Sequence, residues 1–172
     1  MTLLRYAFAF IAVMIAAGCA TLFPQPLATG DDEAAIVQKW GRPTAAYQDG
    51  NIRILEYRRG PYEQFTYMAR VHPTEGLLSA EQVLTNEKFA TVQIGKTTRN
   101  DILLTFGRPR ETSYLPLKDY EVWTYAYRES GVWNSLMHVH FDRSGVVQMM
   151  LSGPDPRFDA DFGRGRSATA AD

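Results

Sequence analysis

The sequence predicts an α+β fold of two tandem units, each a short helix followed by three strands, and the expectation rests on a repeat. "DDEAAIVQKWGRP" from Asp31 and "TTRNDILLTFGRP" from Thr97 place a capping residue, a short apolar run, an aromatic residue and Gly-Arg-Pro in one order, with Gly41 and Gly107 66 positions apart. Downstream, "ILEYRR" from Ile54 aligns with "VWTYAYR" from Val122, and "TEGLLSAEQVL" with "RSGVVQMML", at offsets of 68 and 69. The order survives while the spacing drifts by small loop insertions, the mark of a copied unit rather than a chance tripeptide.

Within each unit the helix has its own start and stop signals. Asp32 and Thr98 are the N-cap candidates, and Thr98 with Asp101 has capping-box spacing. Ile36, Val37 and Trp40 in one copy, and Ile102, Leu103 and Phe106 in the other, supply the apolar stripe. Gly41 and Gly107 fit a left-handed position just past the helix end, and Pro43 and Pro109 prevent the helix from resuming. The "LTNEKFATVQIG" segment between the copies predicts a further short helix from Asn86 to Ala90.

Three strands then follow in each copy: "NIRILEYRR", "EQFTYMARVH" and "GLLSAEQVL" in the first, "EVWTYAYR", "SLMHVHFD" and "GVVQMML" in the second. Alternation puts Trp123, Tyr125 and Tyr127 on one face with Met137, Val139 and Phe141, and sends His138 and His140 to the other. Leu55 and Tyr57 share the corresponding face with Phe65, Tyr67, Ala69 and Val71. The last strand is apolar on both sides, which fits either two-sided burial or a contact surface.

The chain ends read differently. Residues 1–18, "MTLLRYAFAFIAVMIAAG", have one charge at Arg5, an apolar run and small residues before Cys19, the layout of a secretory signal. The run is short of the roughly 20 residues a membrane-spanning helix needs, and Pro24 and Pro26 block its extension. Residues 19–30 are expected to form an extended tether, 31–84 the first, degenerate unit, 85–152 the second, and 153–172 a mobile tail. The 172-residue chain carries a net charge of −1 with no basic block, which argues against a nucleic-acid partner. Its 45% hydrophobic content excludes a wholly disordered chain.

Cys19 is the only cysteine, so it has no internal disulfide partner. The stretch "AAGC" resembles the lipobox of bacterial lipoproteins, which implies that the thiol is acylated and becomes the new N-terminus. Two or more acyl chains anchor a protein stably where one binds reversibly. Ala20, rather than Asp, follows the cysteine, and by resemblance to enterobacterial sorting rules this implies the outer membrane.

Chemistry-bearing motifs are sparse. His138 and His140 sit at a spacing that suits two metal ligands, but a third is wanting, because His72 lies just past the equivalent strand of the other copy. Gly-Arg-Pro follows a helix, where the dipole end is negative, so it reads as a helix stop rather than an anion site. Trp133 falls in a predicted loop as either a locally packed residue or a partner anchor. No nucleophile elbow, phosphate loop or second cysteine is present, so neither an enzyme nor a cofactor is expected.

The stretch from Asn86 to Met150 resembles the BamE (SmpA/OmlA) family of outer-membrane lipoproteins, through Gly95-Lys96-Thr97, Gly107 to Pro109, Trp123-Thr124-Tyr125, Phe141-Asp142 and Gly145-Val146. The resemblance implies helices packed on a three-stranded antiparallel sheet, tethered at the outer membrane, with protein partners in the β-barrel assembly machine. The degenerate first copy departs from that pattern, as does the absence of the family's segment after the lipidated cysteine. A tandem pair of such units is also similar to the β-lactamase inhibitory proteins, whose two copies form a concave sheet that grips another protein. The resulting expectation is a lipid-anchored protein-binding module serving barrel assembly or envelope integrity, the alternative being a periplasm-facing inhibitor or adaptor. Trp133, His138 and His140 are the candidate partner contacts.

Overall fold

The computed structural model describes residues 25–60 and 62–158. The signal segment and Cys19 lie outside the described residues. In chain order the elements are α1 (Glu33–Trp40), β1 (Ala45–Asp49), β2 (Ile52–Arg59), β3 (Phe65–His72), β4 (Gly76–Gln82), α2 (Asn86–Phe89), α3 (Arg99–Phe106), β5 (Glu111–Leu115), β6 (Tyr120–Glu129), β7 (Trp133–Phe141) and β8 (Val147–Pro154). A 3₁₀ turn at Pro156–Phe158 follows.

The helix ends obey the local chemistry. Asp32 accepts the Ala35 amide at 2.7 Å, and Thr98 and Asp101 form a complete capping box. Gly41 and Gly107 have the positive φ that the sequence implies, 83° and 79°, but their ψ of −172° and −164° is extended rather than left-handed helical. That region is essentially reserved for glycine.

Each half forms a four-stranded antiparallel sheet, in the orders β1-β2-β3-β4 and β5-β6-β7-β8, where three strands each were expected. The additional strands, β1 and β5, start soon after each Gly-Arg-Pro. They escape alternation because β5 (ETSYL) is exposed at all five residues and β1 (AAYQD) has none fully buried. The predicted faces are paired as expected, with Leu55 opposite Ala69, Tyr57 opposite Tyr67, Trp123 opposite Val139 and Tyr125 opposite Met137. A bulge interrupts β3-β4 pairing at Arg70/Val71 and β7-β8 pairing at His140/Phe141, the same place in each half. Bulges are specific features rather than defects, so their recurrence supports duplication independently of the side chains.

The layers run α1, first sheet, α2 with α3, second sheet. Ile36 and the half-buried Trp40 pack on Leu55, Tyr57, Ala69 and Val71, with Trp40 edge-on to Tyr57 and Tyr67. The opposite face of that sheet contributes Ile54 and Met68 to a larger core shared with Phe89, Ile102, Phe106, Trp123, Tyr125, Tyr127, Val139 and Phe141. The helices of the second half are therefore gripped on both sides. Residues Ile54 to Tyr57 of β2 are all buried, as two covered faces require.

Both predicted termini need correction. Residues 25–30, expected within a free tether, are docked: Gln25 O accepts the Trp40 indole N–H at 3.1 Å, Leu27 packs on the first core, and Gly30 N–H donates to Leu77 O at 3.0 Å. Residues 153–158, expected within the mobile tail, complete β8 and the 3₁₀ turn. There Asp155 is buried and paired with Arg157, and Phe158 packs edge-on against Tyr62.

Candidate protein-binding surface

Because α2 and α3 cover one face of the second sheet, the other face is turned outward. In each half this outward face comes from the same alternate positions, so the two can be compared residue by residue. Ile54, Glu56 and Arg58 on β2 correspond to Val122, Thr124 and Ala126 on β6, and Met68 and Arg70 on β3 to His138 and His140 on β7.

In the first half this face already holds a partner, the end of α3. Glu56 is fully buried. Its carboxylate accepts the Tyr47 hydroxyl, Arg58 Nε–H at 2.8 Å and the Arg108 amide at 3.2 Å. Arg58 also donates to Arg108 O and Pro109 O, and Arg70 donates to Leu104 O at 3.0 Å. The apolar seam dominates the energy, each fully buried side chain contributing roughly 1.5–3 kcal/mol. The Glu56 cluster fixes the register, because a buried carboxylate must keep its donors.

In the second half the same face receives no such helix end. None of Val122, Thr124, Ala126, Leu136, His138, His140, Met149 and Leu151 belongs to either core cluster. Val122, Thr124, Ala126 and His140 at its centre are buried, Leu136, His138 and Met149 are half-buried, and Leu151 is 51% exposed. Among the described residues, Gln64 and the 3₁₀ turn reach one end, where Gln64 donates to Asn134 Oδ1 at 2.8 Å and Asp155 N–H to Asn134 O at 2.9 Å. His138 Nδ1 shares a hydrogen bond with Thr124 Oγ1 at 2.9 Å, while the Nδ1 of buried His140 has no partner among the described residues. Burial first, then neighbouring His140, hold the His138 imidazolium below its ordinary range, with Glu111 opposing. The imidazole of His138 is therefore neutral at neutral pH.

The sequence-predicted site residues separate into two groups. Gly41, Pro43, Gly107, Pro109, Trp123, Tyr125, Gly95 and Gly145 build the fold: Tyr125 donates to Gly107 O at 3.0 Å, and Gly95 N–H and Arg99 N–H tie the α3 approach to Val147 O and Gly145 O. His138 and His140 do line the open face. Trp133 does not join them; it opens β7 rather than lying in a loop, is 69% exposed, and falls on the alternate, inward-facing set with Ser135 and Met137. No group of three or more His, Cys, Asp or Glu converges among the described residues, and His72 instead faces Thr74 and Glu75.

Two depressions flank these elements. One, of about 470 Å³, has walls of Pro26, Trp40, Arg59, Phe65 and Tyr67. The other, of about 560 Å³, runs beside β8 between α2 and the inward face of the second sheet. Glu56, Arg58 and the β8 groove were not singled out from the sequence. The signal for the first two was the contrast between copies, since Glu and Arg in one stand where the other has Thr and Ala.

No protein-family model and no curated protein matches the chain. Among solved structures, a DUF4309 family protein of Bacillus subtilis is 13% identical, with 72% of this chain and 78% of that one covered and a TM-score of 0.32. A proposed beta-lactamase inhibitor protein of Streptococcus mutans is also 13% identical, over 77% of this chain and 88% of that one, with a TM-score of 0.33.

Proposed function

We propose that this chain is a lipid-anchored, non-catalytic protein-binding adaptor or inhibitor, held through Cys19 to the periplasmic side of the outer membrane. The observation that carries the binding role is the asymmetry between equivalent faces: the first sheet spends its outward face on a helix end, while the second receives no such helix end and leaves Leu136, His138 and Met149 half-buried and Leu151 51% exposed around the buried Val122 and Ala126. A sheet face that leaves Leu136, Met149 and Leu151 accessible beside polar His138 supports an interaction site. The anchor follows from the lipobox-like "AAGC".

A second reading, an accessory role in β-barrel assembly, is favoured by the resemblance from Asn86 to Met150. Within that stretch Gly107 to Pro109 dock on the first half and Trp123 and Tyr125 are core residues. These motifs shape the unit, and both readings share the same open face.

A photoreactive amino acid placed at His138 in the full-length chain, expressed in its bacterial host, should give a discrete crosslinked protein, and the same probe at exposed Arg42 should not. Identification of a barrel-assembly component selects the second reading, and any other single protein the first. Equal labelling from both positions, or none, overturns the binding role. Loss of membrane retention in Cys19→Ser tests the anchor separately.

A further inference from the structure

The last strand of the second copy is apolar on both sides, and the structure makes it an edge. β8 pairs with β7 only. At its start Val147 is tied down by Gly95 N–H and Thr97 O, but past that point its free side meets no other strand among the described residues. Edge strands are templates for further pairing, and proteins ordinarily guard them with charge. The other three edges do so: β1 carries Asp49, β4 carries Glu81 and β5 carries Glu111. β8, VQMMLSGP, carries no charged residue in eight.

Beside this unguarded edge lies the groove of about 560 Å³, walled by Phe89, Val92, Ile94, Tyr127, Met137 and Met150. Ile94 on its rim is 53% exposed. A strand added to β8 sends every second side chain toward that groove. Methionines are flexible and polarizable, and suit a surface that accepts varied apolar side chains.

We propose that β8 is a strand-addition site that captures an extended, uncharged segment of another protein bearing apolar side chains at alternate positions. The proposal deepens the protein-binding reading by naming the mode of recognition. Main-chain hydrogen bonds to the free edge supply affinity, and the groove selects the alternation. A second copy of this chain fits less well, since its own β8 would offer the groove Gln148 and Ser152 around Met150, two polar residues of three. A charged segment gains nothing from β8, which has no charge to pair with it.

The test uses the full chain and a fluorescein-labelled, strand-length peptide alternating valine with threonine, with a same-composition peptide carrying its valines in one block as control. The alternating peptide should bind, the control should be at least about tenfold weaker, and Ile94→Asp should weaken the alternating peptide by about tenfold or more. Hydrogen exchange should slow at the amides of residues 148–153 on peptide addition. Ile94 is exposed enough for the variant to keep its fold, which its circular dichroism checks, and Met150→Lys provides a second disruption of the same groove. No binding up to about 1 mM, equal binding of both peptides, or protection confined to other strands overturns the proposal. So does a dimer whose β8 amides are protected without peptide. If the His138 crosslink persists while the peptide fails to bind, strand addition falls and the protein-binding reading stands.

Discussion

The carboxylate of Glu56 occupies the space that a side chain on Gly107 would need: a Cβ built there lies 2.7 Å from Glu56 Cδ and Oε2. The equivalent glycine of the first helix, Gly41, has nothing within 4 Å. Both share a backbone conformation that L-residues avoid, so alanine at either should cost about 1–3 kcal/mol in conformational strain. Gly107→Ala carries a further overpacking penalty of about 1–3 kcal/mol that Gly41→Ala escapes. Urea unfolding of the two variants checks this, and equal losses would mean that the α3 end is not seated on the first sheet.

The Glu56 cluster makes its own prediction. Arg58 is only 16% exposed at its side chain, so Glu56→Ala strips a largely buried guanidinium of its buried carboxylate and leaves it only the half-exposed Glu63 at 3.0 Å. Breaking one side of a buried pair costs about 3–5 kcal/mol where no second partner remains, so the retained Glu63 sets that range as the upper bound. Removing Arg58 as well relieves part of that loss, so Glu56→Ala with Arg58→Ala should be less destabilised than the two single effects added together. A double-mutant cycle on denaturation midpoints reads the coupling; strict additivity would place the two side chains out of contact.

Tyr57 and Tyr125 stand at equivalent positions of the two copies, yet only Tyr125 finds a partner, donating to Gly107 O. The Tyr57 hydroxyl is buried and meets no hydrogen-bonding partner among the described residues. Tyr125→Phe leaves a buried carbonyl short of a donor and should cost about 1 kcal/mol, whereas Tyr57→Phe should be neutral or stabilising by a similar amount. Thermal melts of the two variants measured side by side decide it. A loss at Tyr57 equal to that at Tyr125 would contradict the contrast.

What could be read from the sequence follows from the range of the interactions. The caps at Asp32 and Thr98, the helix-ending positions and positive φ of the glycines at 41 and 107, and the alternating faces of the central strands are local or periodic, and the structure has them where the residues imply, the glycines' extended ψ excepted. β1 and β5 were missed because an exposed edge strand imposes no alternation. The docked residues 25–30 were missed because Gln25 is held by Trp40, fifteen positions away, and composition carries no such information. Glu56 and Arg58 read as a solvated strand face until the neighbouring layer is known. That layer comes from the other copy, so burial there is decided between units. His138 and His140 were placed on the right face, but whether that face is covered also depends on which layer stops the stack.

Acidification tests the half-buried position of His138. Burial and neighbouring His140 lower its proton affinity in the folded chain, whereas the unfolded chain takes up the proton near the ordinary imidazole value of about 6.5. The unfolded state therefore binds more protons as pH falls through that value. The contribution of the neutral imidazole is complete above about pH 6.5 and is lost progressively below it. Asp31, held low by the Lys39 ammonium, and Asp142, held low by Ser144, lose their contributions only as pH falls below the ordinary carboxylate value of about 3.9. Their window is thus separate from that of the histidine. Urea midpoints measured between about pH 7.5 and 5.0 should fall for the parent chain and fall less for His138→Gln, which keeps a polar group beside Thr124 but cannot take a proton in this range. Parallel pH profiles for the two proteins would show that His138 is as free to be protonated in the folded chain as in the unfolded one, and the face it lines would then be charged, not neutral, in mild acid.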